Sequence, residues 1–340
     1  MTRASLKRSI LEDRQYRIAA VPEMVKRVTR GNKKLKLQKK SRPLSVSKDE
    51  LRQHILRVKG LAASWENRLR PWQHGGESVI RVASDCSGHG SDLIAYRLLG
   101  LVKKVLPVMM SETDADKVCL HEAVAKICGF NTSKLTMVTD MFLRKPEDCI
   151  STHVYVAGFP CPSFSNLGKR RGVVDRRGLC TLSGLEYIAR TRPKVIVLEQ
   201  VASILHKTHA KVWGFVLKIL AALKYKVVFK ILNTKNFAVP QSRPRVYLLG
   251  VAEEICSGKL EMPKERTKPV DLHHFLNKGC QGTEVLSLPH YEKLLGEKLW
   301  SRGFVLDVGS SERFQTVMKN VTPCLTRTRL QQRGYYIPKL

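Results

Sequence analysis

Between Val79 and Ala252, short apolar runs alternate with longer stretches of helical periodicity, and that alternation leaves few folds open to the chain. Strands are predicted at 79–84, 105–112, 134–140, 154–160, 194–201, 226–233 and 245–252, with helices at 92–102, 117–130, 182–193 and 212–225 between them. Near-continuous apolar strands joined through helices form a parallel sheet covered on both faces, an α/β architecture. Ligands of such sheets bind beyond the carboxyl ends of the strands. At those ends this chain carries SGHG (87–90), Glu112, Asp140, Pro160-Cys161 and Glu199.

Outside the alternating region the texture changes. Residues 1–74 read as a basic extension with one helix, opened by a capping box in which Ser47 is the N-cap and Glu50 stands three residues on. Residues 75–252 are expected to be the catalytic domain, 253–322 a small irregular lobe, and 323–340 a returning segment. No run approaches the ~20 apolar residues of a membrane span, and the charged N-terminus lacks the apolar centre of a secretory signal. A soluble, intracellular protein with no membrane partner is expected.

Charge narrows the choice of partner. Sixty Lys and Arg against 29 Asp and Glu give a formal net charge of +31. Such a surface releases counterions from a polyanion, and nucleic acid is the commonest polyanion. The run GNKKLKLQKKSRP (31–43) suits phosphate binding or nuclear import, so a nuclear location is expected, although a basic tail with no specific task reads the same way. Nine cysteines, irregularly spaced and without a Cys-x-x-Cys pair, read as reduced thiols and not as a zinc site or disulfide framework.

Among these residues, GFPCPSFSNLGK (158–169) is the most specific feature. A cysteine between prolines, on a loop leaving a buried strand, is held in a defined conformation, and Lys169, Arg170 and Arg171 follow it to favour a thiolate. Glu199, ending the next strand in LEQV, is placed where partial burial would keep a carboxyl protonated and able to donate to a heterocycle nitrogen. In PQSRPRVYLLG (240–250), strand alternation puts Arg243 and Arg245 on one face, toward an anion or carbonyl. Glu112 stands where a nucleoside's ribose hydroxyls are commonly held, and Asp140 where an adenine amino group would lie. Each acid alone also fits a helix N-cap or a solvated turn.

In this order, SGHG, Glu112, Asp140, GFPCPSFSNLGK, LEQV and PQSRPR resemble the motifs of the DNA cytosine-C5 methyltransferase family over roughly three quarters of the chain. The resemblance implies a Rossmann-like methyltransferase sheet with a small irregular target-recognition lobe, S-adenosylmethionine as cofactor, and double-stranded DNA with a flipped cytosine as partner. It implies Cys161 as the nucleophile at C6 and Glu199 at N3. Arg245 would hold the base oxygen with Arg243 beside it, and Ser163 and Gln241 would contact substrate. Ser87, Gly88, Gly90, Glu112, Asp140 and Pro160 would line the cofactor site.

The chain also departs from the family pattern. Ser84-Asp85-Cys86 stands where the family has Asp-x-Phe, so an aromatic cofactor contact is replaced by a thiol. Gln200 follows the glutamate where Asn is usual, and Pro162 follows the cysteine where Gln is common. TPCLTRTRLQQRGYYIPKL (322–340) resembles the exit from the recognition region, and the late helix and Gly-Asn strand do not follow it. An incomplete gene product is expected, with a circular permutation placing Gly31-Asn32 and a 48–69 helix in that role as the alternative. Two other functions fit the residues: a non-catalytic nucleic-acid-binding relative, and an RNA cytosine-C5 methyltransferase.

Overall fold

The computed structural model describes residues 79–160, 176–265, 270, 272–275, 304–306 and 317–324, together with positions scattered between 49 and 63. Seven strands form one sheet: β1 (Ile80–Asp85), β2 (Val105–Ser111), β3 (Thr136–Val138), β4 (Val154–Gly158), β5 (Val195–Val201), β6 (Tyr225–Asn233) and β7 (Pro244–Ala252). Their order is β3-β2-β1-β4-β5-β7-β6. Among the described residues from Val79 on, the α-helices are α1 (Ser91–Leu98), α2 (Ala115–Cys128), α3 (Arg176–Thr191) and α4 (Ala210–Ala222).

Alternation along the strands sends successive side chains to opposite faces. On one face Val82 and Val105 pack with Leu93 of α1 and Ala125 and Cys128 of α2. On the other, Ala83, Met109, Tyr155, Ile196 and Leu248 pack with Leu185 and Ile188 of α3 and Leu220 of α4. The central strands are apolar almost throughout because both of their faces are covered.

The expected all-parallel sheet is corrected at its end. From β3 through β5 every pairing is parallel, but β7 runs antiparallel to both β5 and β6. The link between β6 and β7 spans 234–243, with a short 3-10 turn at Thr234–Phe237. A parallel return needs a crossover of roughly a dozen residues or more, usually a helix, so this short link reverses the strand. Helix boundaries shift as well. α1 ends at Leu98, before Gly100 at φ +73°, and α3 begins at Arg176, ahead of the apolar residues that signalled it.

The capping residues Ser47 and Glu50 lie outside the described residues. The described positions from 49 to 63 are helical, and Ile55 packs on the main core. In the region after Ala252, the described residues form 3-10 turns at Glu253–Ile255 and Leu272–Phe275 and an antiparallel pair, β8 (Phe304–Leu306) with β9 (Val317–Lys319). Among the described residues no helix is long and apolar enough to cross a membrane.

One glycine fixes how closely α3 sits on the sheet. A Cβ at Gly184 would fall 2.5 Å from Phe159 Cζ and 2.9 Å from the Tyr155 hydroxyl, both of them buried. Gly184→Ala is therefore expected to cost about 1–3 kcal/mol through overpacking, read as a lower urea midpoint with an unchanged slope. An unchanged midpoint would show that the helix can move away freely.

Candidate active site

The carboxyl edge of the sheet carries two groups of candidate site residues. The first follows β1. Cys86 takes φ +53°, Gly88 φ +56° and Gly90 φ +74°, the last as N-cap of α1. Ser87 is tied down: its N–H donates to Ser111 O at 3.0 Å, and its hydroxyl lies 2.7 Å from that of Ser84 and donates to Ser111 O at 3.2 Å. Its placement makes it a pin between β1 and β2.

The two glycines differ in their surroundings. A Cβ at Gly88 would meet nothing nearer than Cys86 O at 3.9 Å, so that backbone is open to a ligand. A Cβ at Gly90 would lie 3.0 Å from Nδ1 of buried His121, which accounts for that glycine by packing. Burial pushes the His121 imidazole down to about 4, so it is neutral at physiological pH.

Glu112, directly after β2, accepts the Gly88 N–H on Oε2 at 3.0 Å. Its Oε1 accepts the N–H groups of Thr113 at 3.0 Å and Asp114 at 3.1 Å. Three backbone donors fix the carboxylate and leave Oε2 a lone pair for a hydroxyl. Asp140 follows β3, and its Oδ1 accepts the Phe142 N–H at 2.9 Å. An open glycine backbone beside an oriented carboxylate fits the ribose of a nucleoside cofactor. A hydrogen bond with Cys180, and then burial, push the Cys86 thiol far up, so it stays protonated.

The second group surrounds Glu199. β4 ends at Gly158 and leads through buried Phe159 to Pro160. Cys161 and Ser163 lie outside the described residues. Glu199 stands opposite Gly158 on one side and Tyr247 on the other, and a Cβ at Gly158 would be 3.7 Å from Glu199 Oε2. Burial raises the Glu199 carboxyl above its ordinary 4.5, while the charges of Arg245 and Arg243 pull it back. Arg245 Nε is 3.1 Å from Glu199 Oε1, an ion pair with side chains 11% and 21% exposed, although the N–H is not aligned as a hydrogen bond.

Both arginines converge on Cys324, a residue that sequence reasoning did not single out. Arg243 Nη1 reaches its sulfur at 3.4 Å and Arg245 Nη2 at 3.8 Å. The segment holding Cys324 docks by backbone: Ser242 N–H donates to Thr322 O at 2.7 Å and Thr322 N–H to Pro240 O at 2.8 Å. Gln241 takes part through its main chain, as a bridge to Thr322. The sequence signal for Cys324 was its place in the returning segment, but nothing local tied it to residues some 80 positions earlier. On β5, the Oε1 of Gln200 accepts the Val201 N–H at 2.9 Å, and Gln200 lines a small hollow together with Thr181 and Trp213.

The family model for C-5 cytosine-specific DNA methylase matches residues 118–305, more than half of the chain. The type II methyltransferase M.NgoBI of Neisseria gonorrhoeae is 36% identical over 110 residues, 32% of this chain and 35% of that protein. M.NlaIV of Neisseria lactamica is 34% identical over 151 residues, 42% of this chain and 34% of the relative. The matched segments thus span about a third of these relatives' length. Among solved structures, a Spodoptera frugiperda DNMT2 mutant superposes with a TM-score of 0.45 at 17% identity, covering 59% of this chain and 61% of that one.

The raised Glu199 carboxyl has a consequence for stability. The folded protein holds this proton more tightly than the unfolded chain does, so the stability it contributes is full below the ordinary value of 4.5 and is lost as pH rises through the raised value. Glu199→Gln cannot ionise. The unfolding free energy of the variant minus that of the parent should therefore grow between about pH 4 and about pH 8 in urea titrations. A difference that shrinks with pH would mean that Arg245 outweighs burial.

Proposed function

The chain belongs to the C-5 cytosine-specific DNA methylase family, and we propose that it transfers a methyl group from S-adenosylmethionine to C5 of cytosine in DNA. The observation that carries the proposal is Glu199. It is a half-buried carboxyl with raised proton affinity, ion-paired to Arg245 and in register with the strand that runs directly into Pro160-Cys161.

Gly88, Glu112 and Asp140 would hold the nucleoside end of the cofactor. Once bound, S-adenosylmethionine supplies an electrophilic methyl group. The chain's own residues do the rest. The Cys161 thiolate adds to C6 of the cytosine, and Glu199 delivers its proton to N3, so the attacked ring carries no full negative charge. C5 then takes up the methyl, a base removes the C5 proton, and the C6–S bond breaks to return the thiolate while N3 gives its proton back to Glu199. Arg245 would hold the base oxygen, with Arg243 and Cys324 beside it.

Reaching C6 requires the base to leave the duplex, at a cost of about a few kcal/mol. The net charge of +31 supports phosphate contacts that offset it. Base contacts would come from the 253–322 region, and the basic run 31–43 would direct the protein to a nucleus.

The test is covalent trapping. Full-length protein incubated with S-adenosylmethionine and duplex DNA containing 5-fluorocytosine is expected to form a denaturation-resistant adduct, absent in Cys161→Ser. Glu199→Gln should slow adduct formation about a hundredfold or more. Intact cofactor binding without any adduct would point to the non-catalytic binding relative, and trapping on RNA alone to an RNA substrate.

A further inference from the structure

Asp85 is the position where this chain carries an acid within the first glycine motif, and the structure buries it completely. Its side chain has no exposure, and that of its partner Arg144 is 3% exposed. Arg144 Nη1 donates to both carboxylate oxygens, at 2.8 and 2.9 Å. The Tyr155 hydroxyl donates to Asp85 Oδ2 at 2.6 Å, and the Ser111 hydroxyl to Oδ1 at 2.6 Å. Arg144 Nη2 donates to Ser183 O at 3.3 Å, and the guanidinium lies 4.6 Å from the centre of the Tyr187 ring. Desolvation opposes the charge on Arg144, but Asp85 overcomes it, so the arginine's affinity for its proton rises.

Residues of this hub stand close in sequence to each part of the first group of site residues. Asp85 immediately precedes the 86–90 loop. Ser111 immediately precedes Glu112, and its hydroxyl also accepts the Cys86 N–H at 3.4 Å. Arg144 directly follows the turn Asp140–Leu143, which the Leu143 N–H closes by donating to Asp140 O at 2.9 Å. Tyr155 and Tyr187, stacked with centroids 4.8 Å apart, anchor the hub to β4 and α3. Apolar packing at this point would tolerate sliding. A buried charge pair does not, because any displacement strands an uncompensated charge.

We propose that Asp85 and Arg144 are a positioning pair for the cofactor site, fixing the spacing between the Gly88–Glu112 cradle and Asp140 and thereby the affinity for the nucleoside end of S-adenosylmethionine. The proposal rests on the methyl-transfer reading. Neither side chain needs to touch the ligand.

The test uses the full chain and calorimetric titration with S-adenosylhomocysteine, beside affinity for a cytosine-containing duplex without cofactor. Arg144→Lys, which keeps charge but cannot span the hub, should weaken S-adenosylhomocysteine binding about tenfold or more, and Tyr155→Phe, which removes one hydrogen bond, about threefold. Duplex affinity should stay within about twofold, and amide exchange over 86–90 and 140–143 should quicken in both variants. If the parent binds and the folded variants bind equally well, the pair is merely structural and the proposal is overturned. Should Arg144→Lys fail to fold, Tyr155→Phe decides by the same criterion. A parent that does not bind at all overturns the methyl-transfer reading and this proposal with it.

Discussion

The register of three strands, β4, β5 and β7, holds the second half of the site together. Gly158, Glu199 and Tyr247 form one row across them, and Val201 pairs with Arg245. Because β7 is antiparallel to β5, its beginning lies at the same edge as the end of β5. A parallel β7 would have carried Arg243 and Arg245 to the opposite edge, far from Glu199. The short 234–243 link that reverses the strand thus brings Arg245 beside Glu199, and a slip of one residue would turn Glu199 to the other face of the sheet.

Electrostatics at Glu199 follow from that placement. Between two paired strands the carboxyl is desolvated and its proton held more tightly, while the charges of Arg245 and Arg243 pull the other way. On the proposed mechanism, Glu199 would hold a proton and then exchange it with a ring nitrogen, and such opposing influences suit that task. Cys86 shows the contrast: its hydrogen bond with Cys180 and its burial act in one direction, and it stays a thiol. Sulfur at this edge is therefore differentiated by surroundings, with Cys324 placed as an acceptor for two guanidinium groups.

Much of the sheet was legible because buried strands announce themselves as apolar runs and end where glycine or acid begins. Glu112 and Asp140 lie just beyond β2 and β3, where the sequence put them. The direction of β7 was not legible from its apolar pattern, which is the same for either sense; loop length carried the information. The Asp85–Arg144 pair and the Cys324 contacts join residues 59 and about 80 positions apart, and no local pattern announces such partners. Gly90 looked like a ligand glycine, yet His121 beside it supplies a packing reason. Cys161, the proposed nucleophile, and Ser163 lie outside the described residues, so their reading rests on the motif and on the strand that leads to them.

The most direct measurement is the product itself. Duplex DNA incubated with the full-length chain and methyl-labelled S-adenosylmethionine, then digested to nucleosides for mass spectrometry, should yield labelled 5-methyldeoxycytidine and no other methylated nucleoside. Label appearing on adenine or on an exocyclic nitrogen, or no labelled nucleoside from a protein that binds both the cofactor and DNA, would contradict the account.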